Sequence, residues 1–408
     1  MLWRPYFYLW FLSISLWGCG PGGQGSRVPK SDGTGETLGT DSNSGRTGPS
    51  EGHDDGVTLE PNVPFAMMGG GPRRLHRASV PGPKREPKET ARFQCGGRIS
   101  ASPIIGPDGT IYVGAIDGTF NALGRDGKLR WSYICDEPIF STAAVSQAGK
   151  VFVGCDDDTL LAFSTDGTLR FTYRMKHDVD ASPVIAEDGV IYVGGDGLNA
   201  LDGDGHRRFK LWLGGHVSAA PAVRPDGVIV VGSHDNRFYM VAPDGTVQGV
   251  FDTKGPILGP AAVLQSNDMI FGSNDGVVYC VAKTGGLRWK FKTGGPVQAG
   301  VAVSSDEKRL FVASMDGGIY CLDADSGNLV WKTETGRAVK ASPMLDSEGM
   351  LYVGSRDHHL YALSQETGDI VWRIDLGYEI DASVAIPGKG RLITADDNGV
   401  VRLFEEKP

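Results

Sequence analysis

At 408 residues the chain exceeds the roughly 250 to 300 residues at which a single hydrophobic core stops growing, so it holds either two domains or one repeat architecture. Glycine fills 59 positions, about twice its usual share of roughly 7%, which argues for many turns and against a helical bundle. A net charge of −9 leaves no general basis for holding nucleic acid, and six cysteines in a chain this long do not make a disulfide scaffold.

Leu2 to Trp17 form an apolar run, preceded by little and broken by Arg4 and Pro5, that ends in Leu16-Trp17-Gly18-Cys19. It is short for a membrane span, which takes about 20 apolar residues. The segment resembles a bacterial lipoprotein signal over residues 1–18, whose removal leaves Cys19 as a lipid-modified N-terminus. Residues 19–62 are rich in Gly, Ser and Thr and nearly devoid of aromatic or branched apolar side chains, the composition of a flexible tether. Such a coil spans about 35 Å. In the lead-in that follows, residues 63–90, the charge changes sign. From Arg73 to Arg92, seven basic residues stand against Glu86 and Glu89. These cations have two outlets: anionic lipid head groups, or the acidic remainder of the chain, which the charge balance favours.

From Ile99 onward the sequence repeats with a period near 40. Taking the small residue after the second apolar run as an anchor gives Gly114, Gly154, Gly194, Gly232, Gly272, Ala313, Gly354 and Ala395, spaced by 40, 40, 38, 40, 41, 41 and 41. Each unit holds four short apolar segments separated by turn dipeptides such as Asp108-Gly109 and Asp126-Gly127. Four antiparallel strands per 40 residues is one propeller blade. The first strand, as in Ser182-Pro183-Val184-Ile185, carries small residues that suit a place beside the axis, and a small residue recurs in the third strand at Ala122, Ala162, Ala200, Val241, Cys280, Cys321 and Ala362. Residues 91–408 therefore read as an all-β, eight-bladed β-propeller of four-stranded antiparallel blades. The eighth unit ends after three strands, and residues 90–97 align with the missing fourth, so an N-terminal strand is expected to close the last blade.

The most specific spacing is a turn glycine followed four residues later by an aromatic. Gly127, Gly167, Gly205, Gly285, Gly327 and Gly368 precede Trp131, Phe171, Phe209, Trp289, Trp331 and Trp372, with Gly249 the exception after Gly245. A large ring lying across a blade interface buries its area there while an indole N–H finds a backbone acceptor. Ala324-Asp325-Ser326-Gly327-Asn328-Leu329-Val330-Trp331 and the matching run to Trp372 resemble the tryptophan-docking motif of PQQ-like repeats, the family of quinoprotein propellers and of the propeller subunit of the outer-membrane barrel-assembly machinery. The pattern departs at Gly249, at the phenylalanines 171 and 209, and at Ala91, where no docking aromatic stands; looser interfaces are expected there.

The resemblance admits an enzyme that binds PQQ and calcium. Such enzymes commonly carry an adjacent Cys-Cys pair and long active-site loops, whereas no two cysteines here are adjacent and the repeat length stays between 38 and 41. No cofactor and no metal site is expected: Asp156-Asp157-Asp158 and Asp202-Gly203-Asp204 read as turn residues, and neither completes a calcium loop. Cys280 and Cys321 read as small core residues, while Cys95, Cys135 and Cys155 map to one rim, where a Cys135–Cys155 disulfide is open to an exported protein. The start of each first strand should line one mouth with Ser100, Phe140, Asp180, Ser218, Leu258, Gln298, Lys340 and Asp381, from which Phe140, Asp180, Gln298, Lys340 and Asp381 are the candidate interaction face. The reading is a non-enzymatic, monomeric propeller, lipid-anchored at the bacterial outer membrane on its periplasmic or surface side. It binds an envelope protein and no nucleic acid. The alternatives are a PQQ and calcium dehydrogenase or a cell-surface ligand-binding propeller.

Overall fold

Seven four-stranded antiparallel sheets follow one another along the chain, and the eighth pairs Arg391–Ala395 and Val400–Glu405 with Lys88–Gln94 from the N-terminal side. The computed structural model describes residues 67–407; the segments read as signal and tether, with Cys19, lie outside them. Blades 1 to 7 take residues 104–134, 144–174, 184–211, 222–252, 262–292, 302–334 and 344–375. The closing strand begins at Lys88, two residues before the expected start, because pairing with Val400–Glu405 continues past an irregularity between Glu89 and Ala91. Phe93 sits opposite Val401 there. An isolated bridge between Ala385 and Ile393 marks the eighth blade's inner strand.

The inner strands are two residues long, as at Ala144–Val145 and Val184–Ile185. Hydroxyls tie them into a belt around the axis. Gly300 N donates to Ser342 Oγ, Ser342 N to Ser383 Oγ, Ser383 N to Ser102 Oγ, Ser102 N to Thr142 Oγ1 and Thr142 N to Ser182 Oγ, all at 2.8–3.0 Å. The belt thus runs from blade 6 through blades 7, 8, 1 and 2 to blade 3. At the corresponding places in blades 4 and 5 stand Ala220 and Pro260, which carry no hydroxyl. The anchor residues are small because the next blade enters against them: a Cβ on Gly114, Gly272 or Gly354 would run into Ile139, Val297 or Ile380.

Docking aromatics lie over the turn glycine of the following blade. At Gly327 (φ +71°) and Gly368 (φ +75°) a Cβ would strike the indoles of Trp289 and Trp331, so glycine is required by the ring above as well as by the left-handed backbone. Trp131, Trp289 and Trp331 donate to the carbonyls of Thr165, Ala324 and Gln365 at 2.7, 2.8 and 2.9 Å. Trp372 faces blade 8, where the outer strand comes from the N-terminal side and no turn joins it to the third, and donates instead to Pro83 O at 3.1 Å.

The interfaces expected to be loose are filled by other residues. The small third-strand residue is the cross-strand partner of the docking ring, as in Ala122↔Trp131 and Ala362↔Trp372. In blade 4 that partner is Met240, opposite Gly249, and Val241, expected there, is one place off. Sizes are exchanged across the pair, and the Met240 methyl reaches over Gly285 where an aromatic would lie. Blade 8 repeats the exchange, with Ala91 opposite Leu403 and both packed on Gly127. The hydrogen bond is replaced separately. Lys150 Nζ donates to Gly203 O (2.7 Å) beneath Phe171, and Arg224 Nη1 donates to Lys283 O (3.0 Å) beside Met240.

Candidate interaction face opposite an N-terminal strap

Residues 72–83 cross one mouth of the channel, at the ends of the inner strands. Val223 N, Val263 N and Val303 N donate to Pro72 O, Arg73 O and Leu75 O at 2.8–3.0 Å, and Leu345 N donates to His76 O at 2.9 Å, so one segment bonds to four successive blades. Arg74 is fully buried. Its guanidinium donates to Met68 O, Pro221 O, Ser182 O and Pro183 O at 2.8–3.0 Å, joining blade 3 to blade 4 where the hydroxyl belt stops. Burial lowers its pKa to about 9. His76 is likewise buried, and burial followed by the charge of Arg74 pushes its pKa down to about 3, so the imidazole is neutral. Both residues have left-handed φ, 54° and 47°, a conformation held by these bonds. Three of the other lead-in cations take the acidic-remainder outlet. Arg73 pairs with Glu307, Lys84 with Glu348 and Arg85 with Glu406, while Arg77 donates to Ser304 O.

The opposite mouth carries the predicted ring. Phe140 is 39% exposed, and Asp180, Gln298 and Lys340 are half-buried. Asp381 differs from the expectation. Its carboxylate is buried and bidentate to Arg356 at 2.7 and 2.8 Å, with Lys340 Nζ at 3.6 Å, because the hairpin of the preceding blade folds over it. Lys340 also reaches Ser100 Oγ at 3.4 Å. On the other side of the mouth, His216 Nε2 bonds Asp180 Oδ1 (2.9 Å) and its ring meets that of His234 edge-on at 5.3 Å. Burial disfavours a charged His216, but the bond to Asp180 and the nearby carboxylates outweigh it and raise its pKa, whereas burial and His216 together lower that of His234. Nothing in the residue order pairs these two histidines, which lie 18 residues apart in different loops.

Asp156 stands beside them with Oδ1 unpartnered. Burial, then Asp180, Asp178 and Glu137, push its pKa up to about 7, against the pull of His216. The folded state therefore keeps the proton that the unfolded chain gives up near its ordinary pKa of about 3.9, and stability from this group falls as pH rises from about 4 to 7. Asp156→Asn is expected to gain stability over the parent at pH 8 relative to pH 4, and equal differences at both pH values in urea unfolding would contradict that. Asp157 accepts from Thr159, Asp202 from His206 N and Asp204 N, and Asp204 pairs with Lys150, as turn residues do.

Cys135 and Cys155 are free, buried thiols at the interface of blades 1 and 2, and their Sγ atoms lie within 4.8 Å of each other and of an Asp157 oxygen. The hydrogen bond between them, followed by burial, raises the Cys135 pKa. Between blades 6 and 7 the same places hold Thr335 and Ser355, hydroxyl to hydroxyl at 3.2 Å. Oxidised glutathione is expected to close a Cys135–Cys155 disulfide with a gain of about 3 kcal/mol, the value for a loop of this size. Non-reducing peptide mapping checks it, and both cysteines still alkylatable after unfolding would refute it. Cys95, whose pKa burial raises to about 12, stays a thiol bonded to Asn121.

The sequence profile of the outer membrane protein assembly factor BamB matches residues 73–178, 138–268 and 274–404. The chain belongs to the BamB-type family of PQQ-like propellers. No curated protein matches it. Among solved structures, BamB from Moraxella catarrhalis superposes with a TM-score of 0.66 at 15% identity, over 78% of this chain and 100% of that one. A europium-containing methanol dehydrogenase gives 0.73 at 12% identity, over 85% and 99%. The quinohemoprotein alcohol dehydrogenase from Comamonas testosteroni gives 0.73 at 12%, over 87% and 82%. At these identities the likeness is one of fold, and the BamB-type family shares that fold with dehydrogenases. Among the described residues no helix is long and apolar enough to cross a membrane.

Among the described residues, the His, Cys, Asp or Glu side chains that converge within 4.8 Å are Cys135, Cys155 and Asp157, a sulfur-rich set, whereas calcium takes six to eight oxygens. On the axis, Arg74 and His76 occupy the strap side with a cation and a neutral ring.

Proposed function

We propose that this BamB-type propeller is a non-enzymatic scaffold, lipid-anchored through Cys19 at the bacterial outer membrane, that holds an envelope protein against the mouth opposite the strap. The observation that carries this reading is the division of labour between the two mouths. One is filled by the chain's own residues, and the other presents an exposed Phe140 among half-buried charged and amide groups, an apolar anchor with a polar surround. Family membership supports a role akin to outer-membrane protein assembly. The test is cross-linking of the full chain in cells of its source, followed by partner identification. Alanine at Phe140, Asp180, Gln298 and Lys340 together is expected to abolish the principal cross-link, and an unchanged set of partners would defeat the proposal. Purified protein mixed with PQQ and calcium is expected to show no dye-linked alcohol oxidation; turnover would install the dehydrogenase reading instead.

A further inference from the structure

The repeat shortens once, to 38 residues between Gly194 and Gly232, and the missing pair falls in the hairpin that joins the second and third strands of blade 3. That hairpin runs from Val193 to Leu198, and Val193 pairs with Asn199; in blade 1 the strands continue to Gly114, paired with Phe120. At the outer shoulder of the shortened blade lies a cavity of about 750 Å³ lined by Lys176, Asp196, Arg207, Arg208, Lys210 and Trp212, among others. Trp212 is 60% exposed, an uncommon position for an indole. Arg208 and Lys210 alternate along the outer strand, Arg207–Leu211, and share one face, and Trp212 follows directly on its end.

The charge here runs against the chain's. Asp196 is buried, and Lys210 and the backbone N–H of Lys176 satisfy it. Lys176 and Arg207 have no ion-pair partner among the described residues, and Arg208 has Asp188 only at 3.7 Å. Three cations thus border a hollow whose single carboxylate is already neutralised, in a protein of net charge −9. Guanidinium groups present paired N–H donors to the oxygens of sulfate, phosphate or carboxylate, and an exposed indole offers a flat apolar platform.

We propose that this shoulder binds an anionic sugar, the Arg208, Arg207 and Lys176 cations holding its acidic group and Trp212 stacking on its ring. The proposal does not depend on reading the mouth as a protein-binding face. The test is calorimetric titration of the full chain at low salt with a sulfated disaccharide, an uncharged disaccharide and inorganic sulfate. Saturable binding is expected for the sulfated disaccharide, at least about tenfold tighter than for sulfate alone, with none for the uncharged sugar. Arg208→Glu and Trp212→Ala are each expected to weaken it about tenfold or more. Both side chains are exposed, and unchanged melting of the variants verifies that the fold is intact. Equal binding by the variants, equal binding of sulfate and disaccharide, or no binding of the sulfated sugar would each overturn the proposal. So would Trp212-dependent capture of phosphatidylglycerol vesicles by a protein that ignores the sugar, which would make the shoulder a membrane contact.

Discussion

Arg74→Met is expected to lower the unfolding free energy by about 3 to 5 kcal/mol, because it leaves four buried acceptors without a donor. Four carbonyl oxygens, those of Met68, Ser182, Pro183 and Pro221, receive the guanidinium in a place closed to water. Methionine approximates the stem but donates nothing, and each abandoned acceptor costs about 1 to 3 kcal/mol. The loss is smaller than their sum because the guanidinium's own desolvation is recovered. Arg85→Met supplies the control, since that side chain is 78% exposed and its pair with Glu406 adds little. Denaturant unfolding gives the comparison, and limited proteolysis gives the location, with cleavage between residues 67 and 83 expected to accelerate in the Arg74 variant alone. Equal stabilities of the two variants would mean that the strap rests on the propeller without bracing it.

The strap also marks where the sequence stopped being legible. Blade number, strand order and closure were readable because they leave a period, turn dipeptides and an aromatic at a fixed offset, each a side-chain property. Three of the four acceptors of Arg74 are backbone carbonyls of blade 3 and of the chain entering blade 4, 108 to 147 residues away, and a carbonyl leaves no mark in sequence. The lead-in was therefore visible as a run of charge and invisible as a brace. The mouth divides the same way. Strand register placed Phe140, Asp180, Gln298 and Lys340 on one ring, but the burial of Asp381 depends on Arg356 from the neighbouring blade. The pairing of His216 with Asp180 likewise joins loops 36 residues apart.

Blade 4 offers a case in which the repeat's rule can be written back into the chain. Met240→Ala alone is expected to cost about 2 to 5 kcal/mol, since Met240 is 3% exposed and its methyl supplies the cover over Gly285. Gly249→Trp alone is expected to destabilise as well, because a Cβ at 249 would lie 2.6 Å from the Met240 methyl and the indole would compete for the space that methyl fills. Combined, the two changes recreate the small-and-aromatic pair seen at Ala122 and Trp131, with the ring free to lie across Gly285. The new indole also finds an acceptor, because Lys283 O stands at the same place relative to its turn glycine as Thr165 O, which Trp131 uses. Arg224 already donates to Lys283 O, and a carbonyl has two lone pairs, so both donors can be received. The double variant is expected to be more stable than either single variant, with a coupling energy of about 2 kcal/mol or more in the double-mutant cycle. Additive losses would show that volume exchange between strands three and four is not what keeps this interface closed.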